Sequence, residues 1–305
     1  MTRFDSIGFG GLNVDKLFKV GKIAKAEEET FIIDLEEACG GSSANTIVGL
    51  ARLGYKVGFI GKVAKDREGK MLIEDFSREG VDINGITIAE HGRSGTVMGF
   101  VDEKGERALY VDPGVNDTIE FNEMTKKYAL ETKFLHLTSF VGEKSFQAQK
   151  KLVEILPAKV KLSFDPGELY ARKGDALDPV IEKTFVLMPN SRELELLTGT
   201  ADYRKGAEVM LKRGVKAIAV KLGSKGCYVT DGKEKHLIKA FKVKVAGTTG
   251  AGDAFCAGFL YGLISNKSLY ECGRIGNFVA SRCIMKMGAR DGLPRIEDLL
   301  RNKLV

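Results

Sequence analysis

Gly247-Thr248-Thr249-Gly250-Ala251-Gly252-Asp253-Ala254-Phe255 is a turn of small residues running straight into an apolar segment that continues to Ile264. Small residues let the backbone turn tightly, and Phe255, Phe259 and Ile264 then recur at roughly helical spacing, so a helix is predicted to open within Gly250 to Gly252. A helix start carries amides with no intrahelical partner, and the macrodipole adds roughly half a positive charge there. This suits an anion, in particular a phosphoryl group gathering negative charge as it transfers. Asp253 stands beside the turn, where a carboxylate can accept a proton from an alcohol while the turn stabilises the phosphoryl under attack. A glycine turn whose first-turn carboxylate only complements the dipole reads the same way. The remainder of the chain has to decide between them.

Upstream of the turn, strand patterns near Phe134 to Leu137, Lys161 to Phe164, Phe185 to Leu187 and Ala217 to Lys221 alternate with helix-like or glycine-marked segments. At the other end, Arg3 to Gly10 reads as a buried strand ending in glycines. Asn13 and Asp15 follow it, where open α/β sheets take their ligands. Ser42 to Leu53 carries Ala44, Ile47, Val48 and Ala51 on one helical face, and Val57 to Ile60 with a helix from Asp66 to Arg78 makes a further β-α unit. Leu269 to Met285 and Ile296 to Leu300 complete a helical end. Such alternation predicts an α/β fold of three layers, α/β/α, around a mainly parallel central sheet.

Four segments break the pattern. Val14 to Val20 and Thr30 to Glu36 have the alternating character of short strands, and Gly95 to Val101 and Arg107 to Asp112 are joined by the turn Asp102-Glu103-Lys104-Gly105. They are expected to form a small separate sheet on residues 14–36 and 92–113. It would be inserted into an α/β domain made of 1–13, 37–91 and 114–305.

At 305 residues and 44% hydrophobic content the chain can bury a large core. Its net charge of +6, from 47 basic and 41 acidic residues, fits anionic small substrates and lacks the clustered bias of a nucleic-acid binder. The five cysteines, Cys39, Cys227, Cys256, Cys272 and Cys283, are scattered with no CxxC pair, which argues for reduced thiols in cytoplasm over a disulfide frame or a zinc site. No opening apolar h-region and no apolar run near 18 residues occurs, so neither export nor a membrane span is expected.

Three further motifs carry possible chemistry. Cys39-Gly40-Gly41-Ser42-Ser43-Ala44-Asn45 runs into a helix, and its glycines would let a polyhydroxy ligand approach the backbone while Asn45 offers a donor and an acceptor. In Pro189-Asn190-Ser191-Arg192-Glu193 two polar groups share one helical face. Asn190 fits phosphate oxygens and Glu193 the water shell of Mg²⁺, but the pair reads equally as an N-cap and its capping-box partner. Lys221-Leu222-Gly223-Ser224-Lys225-Gly226 is a strand followed by a glycine loop suited to nucleotide phosphates or ribose. It is neither a Walker loop nor a GxGxxG fingerprint, and the early Gly8-Phe9-Gly10-Gly11 is not followed by a helix, so a dehydrogenase is excluded.

Taken in order, these motifs resemble the ribokinase-like carbohydrate kinases, the phosphofructokinase B family, over nearly the whole chain. Gly247 to Leu260 resembles the family's DTTGAGD signature, Gly40 to Gly54 its N-terminal GG-x-x-x-N signature, Pro189 to Gly199 its N-x-x-E motif and Leu222 to Gly226 its nucleotide loop. The resemblance implies Asp253 as catalytic base with the amides of Gly250, Ala251 and Gly252 as anion hole. It implies that Asn13, Asp15, Gly41 and Asn45 bind the sugar, that Asn190 and Glu193 organise phosphate and Mg²⁺, and that Lys221, Gly223, Gly226 and Asn277 line the ATP pocket. The four short strands match the family's lid, through which many members dimerise. A nucleoside kinase on the same scaffold is the alternative. Gly247 and Gly292 stand where relatives carry side chains that help hold a monovalent cation, so potassium activation does not carry over. Lys221 replaces a common Thr and would either reach a phosphate or face solvent. Thr138 and Ser139 stand where ribokinases proper have an acidic residue.

Overall fold

The structure is a computed structural model and describes residues 2–304. Thirteen strands are present among these residues: β1 Phe4–Phe9, β2 Asn13–Val20, β3 Ile32–Gly40, β4 Val57–Ala64, β5 Ile86–Ala89, β6 Gly95–Val101, β7 Arg107–Asp112, β8 Thr132–Leu137, β9 Lys161–Phe164, β10 Thr184–Leu187, β11 Ala217–Lys221, β12 Cys227–Thr230 and β13 Lys235–Ile238. Nine of them form one sheet in the order β13-β12-β11-β10-β9-β8-β1-β4-β5. From β11 to β5 every neighbouring pair is parallel, and β12 and β13 extend the sheet as an antiparallel hairpin.

The parallel strands alternate their side chains between two apolar cores. Phe134, Val186, Ala217 and Ala219 face one core, packed with residues of the helices Ser42–Arg52, Arg67–Arg78, Ala251–Ile264 and Leu269–Cys283. Leu135, Leu187, Ile218 and Val220 face the other, which the helices Glu143–Glu154, Ser191–Thr198 and Tyr203–Lys212 cover. Two buried faces explain why these strands read as nearly continuous apolar runs. The three-layer α/β/α arrangement expected from the sequence is therefore the one observed.

The remaining strands form a second sheet in the order β3-β2-β6-β7, with β2 and β6 parallel at its centre. Here the sequence reading needs correction at β3. Instead of stopping at Glu36, the strand runs on to Gly40, because its pairing with β2 continues from Val20↔Ile32 to Asn13↔Gly40. That continuation delivers the first glycine motif to the start of β2. Two further elements, the edge strand β5 and the β12–β13 hairpin, have too few residues for their periodicity to separate them from loops.

Helix ends follow local chemistry. Asp66 accepts from the Gly69 amide (2.7 Å) and opens the helix Arg67–Arg78. The helix Ala251–Ile264 is opened instead by Gly250 in the left-handed region, φ 77°, and a Cβ there would lie 2.7 Å from the Ala289 Cα. This helix is apolar all round and buried from Ala254 to Gly262, as a central helix must be. Among the described residues no helix is long and apolar enough to cross a membrane.

Candidate active site

A cavity of about 690 Å³ opens where the helix Ala251–Ile264 begins, at the carboxyl ends of β9, β10 and β11. Its polar end holds Asp253, Gly252, Ala251, Ser42, Lys221, Asp165, Asn190 and Glu193. The other end is apolar, walled by Phe241, Val243, Val245, Ala280 and Ile284, with Gly223, Gly226 and Asn277 between.

At the helix start no side chain serves as cap. Ala251 donates a long bond to the Thr248 carbonyl (3.3 Å), and Ala254 donates to Gly250 (2.8 Å). The amides of Gly250, Gly252 and Asp253 meet no acceptor among the described residues, so of the expected Gly250, Ala251 and Gly252 only the Ala251 amide is engaged. Free amides at the positive end of a long helix, facing a cavity, form an anion-binding corner.

Asp253 is held from the helix Ser42–Arg52. Ser42 Oγ donates to its Oδ1 (2.5 Å), Asn45 Nδ2 donates to its Oδ2 (2.8 Å), and Thr46 Oγ1 donates to its carbonyl (3.2 Å). Residues 42, 45 and 46 fall on one helical face, and Gly49 continues it where the two helices nearly touch; a Cβ on Gly49 would lie 2.7 Å from the Ala257 Cβ. Burial raises the Asp253 pKa to about 6, against the lowering effect of the Ser42 and Asn45 bonds. A carboxylate poised there is ionised at neutral pH and basic enough to accept a proton.

Lys221 does not face solvent. Its ammonium pairs with Asp165 Oδ2 at 2.5 Å, and a Cβ on Gly252 would come within 3.4 Å of Nζ. Burial acts to lower its pKa, but Asp165, Cys256 and Glu193 outweigh it and hold Lys221 firmly cationic. Asp165 Oδ1 is buried with no partner among the described residues. Asn190 and Glu193 form the full capping box: Asn190 accepts from the Glu193 amide, and both Glu193 oxygens receive Asn190 N–H groups, each bond 2.8 Å long. Burial, followed by the charge of Asp165, raises the Glu193 pKa.

Asn13, Asp15, Gly41 and Asn45 lie beside this cavity, not among the residues lining it. The β2–β3 register sets Asn13 opposite Gly40 and Asp15 opposite Ala38. Asn13 Oδ1 accepts from Asn116 (3.0 Å), and burial raises the Asp15 pKa to about 6, partly offset by Arg290. Gly41 has φ 104°, and a Cβ on it would strike the Gly11 carbonyl at 2.2 Å. Asn277 Nδ2 donates to the carbonyls of Ile238 and Lys239 and fixes the end of β13. Sequence reasoning assigned no role to Ser42 or Arg290; both act through contacts more than 200 residues away, which no local pattern carries. Serine spaced three residues before Asn45 on the same face was the one available signal.

A deep cavity with an anion corner, a basic carboxylate and a buried cation is the equipment of phosphoryl transfer. The model of the pfkB family carbohydrate kinases matches residues 10–296. The chain belongs to that family. It is accordingly a carbohydrate kinase, and relatives agree in kind. An uncharacterized sugar kinase of Archaeoglobus fulgidus is 49% identical over 255 residues, 82% of this chain and all of that protein. The ATP-dependent ribose-1-phosphate kinase of Halopiger xanaduensis is 30% identical over 282 residues, covering 92% of each. The crystal structure of ribokinase from Thermotoga maritima superposes with a TM-score of 0.88 at 26% identity, covering 98% of this chain and all of that one. The fold is ribokinase-like.

Proposed function

We propose that this carbohydrate kinase moves the γ-phosphoryl of ATP to a hydroxymethyl group of a sugar. The supporting observation is Asp253: a carboxylate with a pKa near 6, fixed by Ser42 and Asn45 beside free helix amides. In this reading Asp253 takes the proton from the acceptor hydroxyl. The amides of Gly252 and its neighbours, with Lys221, hold the charge that accumulates on the transferring group. Asn13, Asp15, Gly41 and Asn45 would orient the sugar, and the apolar walls Phe241, Val243 and Val245 would take the nucleotide base near Asn277, Gly223 and Gly226.

The donor set suits Mg²⁺, a hard cation that keeps most of its water. Asp165, whose Oδ1 is buried and unpartnered among the described residues, and Glu193, whose oxygens both accept from Asn190, line one cavity, and among the described residues no cluster of three or more His, Cys, Asp or Glu side chains could hold a metal ion alone. Asp165 and Glu193 would hold such an ion through its water shell, and it would supply positive charge against the phosphate oxygens.

The test is phosphoryl transfer from ATP against a panel of free pentoses and hexoses, ribose 1-phosphate and nucleosides. Turnover highest on a free sugar is the expected result. A preference for nucleosides would move the protein to the alternative nucleoside-kinase reading, and transfer to none of them would remove the proposal.

The small sheet would act as a lid that excludes water during transfer. It also exposes apolar side chains on both edge strands: Ile33 is 57% exposed on β3 and Tyr110 59% exposed on β7, beside Leu35, Leu109 and Val111. A second copy of the same sheet is the occupant that matches such a self-complementary surface. The cytoplasmic enzyme is thus expected to sediment at twice its 33.3 kDa mass, and Ile33→Asp to sediment at the single mass. A monomeric parent at micromolar concentration would count against the lid dimer.

A further inference from the structure

We propose that Arg290 is a positioning residue, which locks the Asn45 amide so that it can only donate to Asp253. The proposal rests on Asp253 being the base and adds the device that keeps it unprotonated. Arg290 lies in the turn after the helix Leu269–Cys283 and is 7% exposed. Its Nε donates to Asn45 Oδ1 (2.8 Å), one terminal nitrogen donates to the Gly40 carbonyl (3.3 Å), and the other pairs with Asp75.

A guanidinium has only donors. Oδ1 of Asn45 must therefore face Arg290, and its Nδ2 must face Asp253 Oδ2, where it lies at 2.8 Å. Toward the base Asn45 then offers N–H and nothing else. Such a neighbour favours the carboxylate, and a protonated Asp253 finds no acceptor on this side. Without the guanidinium, the amide can turn over whenever Asp253 takes a proton, present Oδ1 to the new O–H and stabilise the acid. The lock is itself braced. Arg52 donates to the Arg290 carbonyl (2.5 Å) and pairs with Glu79, and Asp75 grips the guanidinium from the helix Arg67–Arg78.

Other charges bear on the same titration and have to be separated from it. Asp253 faces Ser42 and Asn45 from one helix, Lys221, Asp165 and Glu193 across the cavity, and the thiols of Cys256 and Cys283. Arg290 also lies under the influence of Asp75, Cys39, Asp15 and Glu79. Losing its charge would raise the Asp15 pKa too, so an effect through Asp15 must be distinguishable from one through Asn45.

The experiment follows the ¹³C carboxyl signal of Asp253, assigned with Asp253→Asn, against pH in the whole protein, alongside the pH profile of kcat/KM. In Arg290→Met the Asp253 titration and the acid limb of the profile should both move up by about one pH unit, the size of one hydrogen bond to a charged group. Arg290→Met also strands Asp75, so Arg290→Met with Asp75→Asn removes both charges together and keeps the fold testable; the same shift is expected. In an Asn45→Ala background the Arg290 substitution should add no shift. An unmoved titration in either folded Arg290 variant overturns the proposal. So does a shift that persists in Asn45→Ala, since Arg290 would then act through Asp15. The NMR titration needs no turnover, so a protein that phosphorylates nothing fails the kinase-base reading and leaves the Arg290 result standing.

Discussion

Asp253→Asn is expected to lose kinase turnover about 10²- to 10⁴-fold, the range supplied by a positioned general base, while folding normally. The substitution keeps volume and keeps bonding. Arg290 holds Asn45 with its N–H groups toward position 253, so the new amide turns its oxygen to Asn45 and its nitrogen to Ser42 Oγ, which can rotate to accept. The free amides of Gly252 and residue 253 remain, so the anion corner survives and only the proton acceptor is lost. In the parent, kcat/KM should rise with pH through about 6 and then level, because the base works only when ionised. The asparagine variant should lose that limb. Its stability should move the other way. Asp253 has a folded-state pKa above that of an unfolded carboxylate, so the folded protein binds this proton more tightly. The resulting stability is present in acid and is lost as pH climbs through about 6, which makes the ionised group a cost at pH 8. Removing the ionisation should raise Tm at pH 8 by a few degrees, read by calorimetry. Turnover within tenfold of the parent would dismiss Asp253 as the base.

Local order carried most of the fold. The strands β8 to β11 were readable because a parallel strand buried on both faces needs an unbroken apolar run, and the helix Arg67–Arg78 because Asp66 is a good cap followed by an amphipathic stripe. The end of β3 was not. Glu37, Ala38 and Cys39, past the expected end at Glu36, look like a loop, and only pairing with β2, a contact set by tertiary structure, makes them strand. The same division holds at the site. Asp253, Lys221, Asn190 and Glu193 announce themselves because their chemistry depends on neighbours in sequence: a glycine turn, a strand end, a capping spacing. Arg290 does not, since what gives it its place is a side chain from a distant element.

Asp165 matters most through Lys221, and Lys221→Met should be the second most damaging change. Of the two lysines lining the cavity, Lys221 and Lys242, it is Lys221 whose ammonium lies beside Gly252, facing the carboxylates of Asp165, Glu193 and Asp253. A triphosphate brought against those three charges without Lys221 would meet repulsion where the reaction needs compensation. Loss of one such preorganised group costs turnover about 10²- to 10³-fold. Met matches the length of the stem, so packing is kept, but Asp165 is left buried and unpaired, and breaking a buried ion pair from one side costs about 3–5 kcal/mol. Two effects are thus mixed in the single variant, and a second substitution separates them. Asp165→Asn combined with Lys221→Met removes the stranded charge together with its partner, so Tm should return most of the way to the parent value. Turnover should not return, because the ammonium proposed to face the phosphates and the Asp165 carboxylate proposed for Mg²⁺ are both missing. If turnover recovered along with Tm, Lys221 would serve only to neutralise Asp165, and the anion corner would have to manage the transferring phosphoryl on backbone amides alone.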